Sequence, residues 1–165
     1  MAMTRWQSRF LLIVALVGVV GCDHTSKQLV VRRLSATPAV DLIPGLLELR
    51  KVENTDTAFN LLGRVLEPDT RRALILCLQG AAIAAIVGMV VRRRRESRTV
   101  ERVAAALVLG GAVGNFGDRL IRGHVIDFIR VPYWPVFNVA DVAVCAGMGL
   151  LVLSVRLQAL RGNSG

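Results

Sequence analysis

Two aspartates stand where the chain is otherwise apolar. Asp127 lies inside Val125-Ile126-Asp127-Phe128-Ile129, and Asp141 is the only charged residue in Val136–Val155. The 13 residues between them are enough to fold back, so the two carboxylates can meet. Carboxyl groups held close cannot both ionise comfortably: one pKa rises and the pair shares a proton. One member can then activate water while the other protonates a carbonyl oxygen, which hydrolyses an amide without a nucleophilic Ser or Cys and without a metal.

Other polar groups recur at helical spacing beside apolar runs. Asp23 and Lys27 are i, i+4 and share a helix face as an ion pair. Asn115, Asp118 and Arg119 stand at i, i+3, i+4, and Asn138 and Asp141 at i, i+3. An ionisable group within a membrane span costs about 2.5–3.5 kcal/mol on insertion scales, so each is a functional candidate. Asp23, Lys27, Asn115 and Arg119 suit an alternative equally well, in which hydrogen bonds and charge pairs merely hold helices together. Competing chemistries have little support. Only His24 stands near a cysteine, Cys22, and His124 with Asp127 offers too few ligands for zinc. No glycine-rich loop follows a strand, so no phosphate cradle is expected.

The elements that must position these groups are long and apolar. The chain has 165 residues, 53% hydrophobic, with a net charge of +9. Ala73–Val91 contains no Asp, Glu, Lys or Arg over 19 residues, and about 20 suffice to cross a hydrocarbon core as a helix. That concentration excludes an ordinary soluble domain and disorder. The odd count of cysteines, Cys22, Cys77 and Cys145, all inside apolar runs, points to packing rather than a disulfide scaffold. Four spans are predicted, at about 9–31, 73–91, 103–118 and 136–155, with an outer loop over 32–72. The first and third are short as purely apolar runs, so they must carry their polar residues into the membrane. Gly110, Gly111 and Gly114 in the third span and Gly147 and Gly149 in the fourth would allow close helix approach. Within the outer loop, Val40–Val52 with its Pro44-Gly45 turn predicts a small strand pair at the membrane surface, and Glu67-Pro68-Asp69-Thr70 a turn into the second helix. The fold expected is an all-α, four-helix membrane bundle forming one domain over residues 1–165.

Charge sets the direction of insertion. Arg5 and Arg9, the Arg92–Arg95 run with Arg98, and Arg156 with Arg161 share one side of an even-span bundle, and the positive-inside bias makes that side, with both termini, the cytoplasm. The basic run could also attract nucleic acid or anionic lipid, but its place between two spans favours a topogenic role. The polar clusters then gather near the outer face. Two rival readings remain open. Val19-Val20-Gly21-Cys22 resembles a lipoprotein processing site, although cleavage there would leave a basic C-terminus facing outward. A proton or solute path would need polar groups at several depths, and Val103–Leu109 and Met148–Val155 have no charged residue.

The motifs together resemble the bacterial lipoprotein signal peptidases, the signal peptidase II family. They are Asp23…Ser26-Lys27, Glu53-Asn54-Thr55…Ala58-Phe59, Gly114-Asn115…Asp118-Arg119, His124-Val125-Ile126-Asp127-Phe128 and Phe137-Asn138-Val139-Ala140-Asp141. The resemblance implies an aspartic endopeptidase of the bacterial cytoplasmic membrane, multi-pass, with its active site near the outer face. Its substrates would be diacylglyceryl-modified prolipoproteins, cut before the lipid-bearing cysteine; its surroundings are membrane lipids, with no cofactor, metal or nucleic acid, and it would act as a monomer. It assigns catalysis to Asp127 and Asp141. Asn54, Asn115, Arg119 and Asn138 would line or support the pocket, and Asp23 and Lys27 would support structure and substrate binding. The outer loop would form a β-cradle. Asp56 and Thr57 stand where the family usually has glycine and a small residue, and the segment between the two aspartates is short for the family.

Overall fold

The computed structural model describes residues 5–34, 39–55, 65–92 and 99–162. Along the chain these form α1 (Arg5–Leu34), β1 (Val40–Ile43), β2 (Leu47–Asn54), α2 (Pro68–Arg92), α3 (Thr99–Arg122), β3 (Val125–Arg130) and α4 (Val139–Gly162). Asp56, Thr57, Ala58, Phe59 and Arg93–Arg98 lie outside the described residues.

Local signals set the helix ends. Pro68, expected in a turn, instead opens α2, where its missing N–H would have no helical partner in any case; the Arg71 amide donates to Glu67. Arg32 and Arg33 close α1 against the negative end of its dipole. Gly123 ends α3 in the left-handed region at φ 81°, its amide donating to the Arg119 carbonyl at 3.1 Å.

Three helical stretches are long and apolar enough to cross a membrane: Phe10–Leu34, Pro68–Arg92 and Val139–Leu160. Their surfaces carry exposed Phe10, Val17, Leu29, Leu78, Met89, Val152 and Val155, side chains that lipid rather than water would solvate. α3 differs. Its 24 residues include Glu101, Arg102, Asp118, Arg119 and Arg122, yet it packs against α1, α2 and α4 and buries Ala104, Ala105, Ala106, Val108, Leu109, Gly110 and Gly111. A side chain at Gly110 would strike Val19 of α1, one at Gly147 would meet Ala104 O of α3 at 2.7 Å, and one at Gly111 would collide with Ala140 O of α4. Small residues therefore let backbone meet backbone, as expected for lipid-embedded helices. Gly149 has open space around it and takes no part. Cys22, Cys77 and Cys145, expected to pack internally, are exposed free thiols because the faces they occupy are the outward ones.

The expected strand pair is present and acquires a third member. β1 and β2 pair antiparallel around Gly45, which sits at φ 75°, and β2 pairs antiparallel with β3, giving the order β1-β2-β3. The sheet thus joins the first loop to the segment after α3, where no strand was expected. Val30, Ile126 and Phe128 form a small core with Leu34, Leu49 and Val139 packed on it, which seats the sheet on the end of α1 and the start of α4.

Candidate active site

Register first places Asp127. It lies opposite Val52 in the β2–β3 ladder, so Asn54, two residues on, shares its face, and Asn54 Nδ2 donates to Asp127 Oδ2 at 2.8 Å. Asp141 is set by a helix start. Sequence spacing put it about one and a half turns into the last span; α4 instead begins at Val139, with Asn138 as its cap. The Asp141 amide donates to Asn138 Oδ1 and the Asn138 amide to Asp141 Oδ2, both at 3.1 Å, a reciprocal capping box that locks the Asp141 side chain. The shift arises because Asn138 competes for the backbone and ends the helix there.

Asn138, fully buried, also joins the two carboxylates. Its Nδ2 donates to Asp127 Oδ1 at 2.7 Å and to Asn115 Oδ1 at 3.1 Å. Asn115 Nδ2 in turn donates to Asp141 Oδ1 at 2.8 Å. All four carboxylate oxygens of Asp127 and Asp141 therefore accept one bond each, two from Asn138 and one each from Asn54 and Asn115.

Beneath this lies an ionic knot. Lys27, 0% exposed, holds its Nζ 2.7 Å from Asp23, 2.8 Å from Asp118 and 2.9 Å from Asn115 Oδ1. Its ammonium donates hydrogen bonds to Asp23 and Asn115 and forms an ion pair with Asp118. Asp23 Oδ1 accepts from the Ala140 amide at 3.0 Å, so α1 caps α4 as well. Asp118 is bound from its other side by Arg122 at 2.8 Å. A side chain at Gly114 would come within 2.7 Å of Asp23 Oδ2, so the close approach there serves the knot.

Seven of the eight residues singled out from the sequence, Asp23, Lys27, Asn54, Asn115, Asn138, Asp127 and Asp141, thus form one connected hydrogen-bonded cluster. Arg119, the eighth, is buried on the same face of α3, one turn beyond Asn115. Asp118 was visible from its spacing, but its role as the second counterion of Lys27 was not. The Ala140 amide, being backbone, leaves no sequence signal. His124 sits 3.8 Å from Glu53, at the edge of the sheet. Among the described residues no group of three or more His, Cys, Asp or Glu could hold a metal.

Electrostatics separate the two aspartates. Asp127, 3% exposed, has its pKa raised from 3.8 to about 6, first by burial and further by the negative charge of Asp141, while the bonds from Asn54 and Asn138 pull it back. Asp141 is only half-buried. The cluster can therefore hold a proton on Asp127 beside a more accessible second carboxyl group.

Apolar helices around a buried carboxylate–amide cluster define a membrane protein, and its fold is that of solved bacterial membrane enzymes. One such structure superposes with a TM-score of 0.76 at 23% identity, covering 90% of this chain and 89% of the other. A second gives 0.72 at 24% identity, over 88% and 92%. The chain belongs to the signal peptidase II family, whose model matches residues 13–157. The lipoprotein signal peptidase of Symbiobacterium thermophilum is 38% identical over 93% of this chain and 98% of its own length. That of Syntrophotalea carbinolica is 36% identical over 90% and 91%. The chain is accordingly a bacterial membrane peptidase that cleaves signal peptides.

Proposed function

We propose that this protein is an aspartic endopeptidase that removes the signal peptide from diacylglyceryl-modified prolipoproteins, cutting before the lipid-bearing cysteine, with Asp127 and Asp141 as its catalytic pair. One observation carries the reading: Asn138 binds Asp127 through its side chain and Asp141 through its backbone amide, and so presents both carboxyl groups at one place. Asp127, the more buried, serves first as the proton donor, and Asp141, the more accessible, as the base. Asp141 takes a proton from water as its oxygen attacks the scissile carbonyl carbon, while Asp127 gives its proton to the carbonyl oxygen. When the tetrahedral intermediate collapses, Asp141 passes its proton to the leaving nitrogen and Asp127 recovers one from the hydroxyl group. No metal or cofactor enters.

The supporting residues divide by what they touch. Asn54, Asn115 and Asn138 orient carboxyl oxygens; Asp23 and Lys27 hold the start of α4 against α1 and α3; Arg119, buried on the same face of α3 as Asn115, lines or supports the pocket. The whole chain acts as one membrane-embedded domain and as a monomer. α3 serves as a fourth span, since its 24 residues reach about 36 Å and its polar groups turn inward between its neighbours. Four spans put both termini in the cytoplasm and the aspartates near the outer face of the cytoplasmic membrane, where exported substrates arrive, with the sheet as their cradle. α1 runs unbroken through Cys22, which favours a retained helix over a lipoprotein processing site. Asp127→Asn and Asp141→Asn, made separately, should each leave a diacylated precursor uncut on gels while the protein still inserts; near-normal cleavage by either variant would refute the pair.

A further inference from the structure

The loop between β3 and α4 is a closed tab. Phe128 N and Ile129 N both donate to the Phe137 carbonyl, at 3.0 and 2.8 Å, and Phe137 N donates back to Ile129 at 3.0 Å. Within the loop Trp134 N reaches the Val131 carbonyl at 3.4 Å, and Pro132 and Pro135 fix two further φ angles. The tab's base touches both halves of the site: Asp127 immediately precedes Phe128, and the bridging Asn138 immediately follows Phe137.

At its tip Tyr133 adopts φ 64°, the only non-glycine residue with positive φ among the described residues. A bulky residue seldom occupies that region, and such strain persists where something gains from it. No gain comes from within the protein, because Tyr133 is 106% exposed and Trp134 beside it 64% exposed. Pro132 lines a cavity of about 220 Å³ with Gly45, Leu46 and Leu47 of the β-hairpin and the charged Asp41, Glu48 and Arg130, and Leu42, Ile43 and Leu46 of that hairpin are exposed. Leu120 and Ile121 at the end of α3 and Val142 at the start of α4 are exposed too. The aromatic tip therefore extends the surface that the helices offer to lipid, at the end of the bundle where that surface meets water. Tyr and Trp favour that layer, since each has an apolar ring and a polar tip.

We propose that Tyr133 and Trp134 seat in the interfacial layer of the phospholipid bilayer and, through the rigid tab, fix the depth at which Asp127 and Asp141 meet the substrate. The depth role rests on the catalytic reading of the two aspartates; the lipid contact does not.

The lipid contact is tested by fluorescence. Trp6→Phe leaves Trp134 as the sole tryptophan, and the full chain is placed in phosphatidylcholine–phosphatidylglycerol vesicles with acyl chains brominated near the glycerol end or near the tail end. Emission should be quenched, more strongly by the shallow bromines. Equal emission in brominated and ordinary vesicles would overturn the proposal, as would emission that changes only when a diacylated precursor is added, which would assign the tab to substrate. The depth role is read on Tyr133→Ser/Trp134→Ser, whose insertion is checked separately. Cleavage should fall roughly tenfold in bilayers, in keeping with the cost of ångström-scale misplacement, and stay near the parent rate in detergent micelles, which impose no fixed depth. Equal loss in both media, or none in bilayers, refutes it.

Discussion

Asn54 offers a sharp test of how the carboxyl pair holds its proton. Its Nδ2 gives Asp127 Oδ2 a 2.8 Å bond, second only to burial among the influences on that carboxyl group. Asn54→Ala removes the donor and leaves Oδ2 free to carry a proton. A hydrogen bond to a charged group contributes about 1.5–3 kcal/mol, which at 1.36 kcal/mol per unit corresponds to a shift of roughly one to two units. Asn54 is half-buried, so water replaces part of the bond and the lower figure, about one unit, applies. Asp127 already sits at about 6, so the last proton should leave the pair near pH 6 in the parent and near pH 7 in the variant. In the proposed mechanism the monoanionic pair is the working form, so the alkaline limb of kcat/KM against pH should move upward by about one unit. The assay is cleavage of a diacylated precursor in micelles from pH 5 to 9, each profile normalised to its own maximum to remove any pH-independent effect on binding. An unmoved limb, or one displaced toward acid, would refute the assignment of the proton to Asp127.

Three further outcomes follow from the same geometry. Lys27→Met leaves Asp23 and Asp118 buried without their shared counterion, a loss of about 3–5 kcal/mol, to be read as a lowered unfolding midpoint in micelles. Gly111→Ala drives a methyl group into the Ala140 carbonyl and pushes the first turn of α4, with Asp141, away from Asn115; cleavage should fall on the order of a hundredfold, while Gly149→Ala, in open space, should match the parent. Stability should also depend on pH through Asp127. Because its folded pKa of about 6 exceeds the ordinary 3.8, its contribution is fully present below about pH 4 and lost as pH rises through 6, about 3 kcal/mol in all. Asp127→Asn should remove that dependence in pH-resolved unfolding. Glu53 acts with the opposite sign, held below 4.5 by its bond from Lys51 and the nearby His124, so its contribution is lost as pH falls.

Several features were legible because their signals are local. The apolar runs and flanking charges marked α1, α2 and α4, and Pro44-Gly45 marked the β1–β2 hairpin. The i, i+4 spacing of Asp23 and Lys27 marked a bond that the fold contains at 2.7 Å. Spacing also misled where two local preferences competed. Val136–Val155 reads as one apolar span, but Asn138 caps the helix and Asp141 falls in its first turn. The three cysteines sit in apolar runs yet point outward, because composition shows that a helix is buried in lipid or protein without showing which face meets which.

By itself the sequence determined that this is a membrane protein, that segments within α1, α2 and α4 are long and apolar enough to cross a membrane, and which few polar residues the apolar stretches must accommodate. Each of these follows from hydropathy and spacing within about 20 residues, the length over which a helix meets the bilayer. Only the tertiary structure decided that Val125–Arg130 becomes a strand on β2, that Asp118 is the second counterion of Lys27, that an α4 amide binds Asp23, and that Asn138 bridges the two aspartates. Lys27 to Asn115, Asn54 to Asp127 and Ala140 to Asp23 span 88, 73 and 117 positions. Such contacts leave no periodic trace in the chain; they form because packing the apolar faces leaves the polar groups nowhere else to find partners.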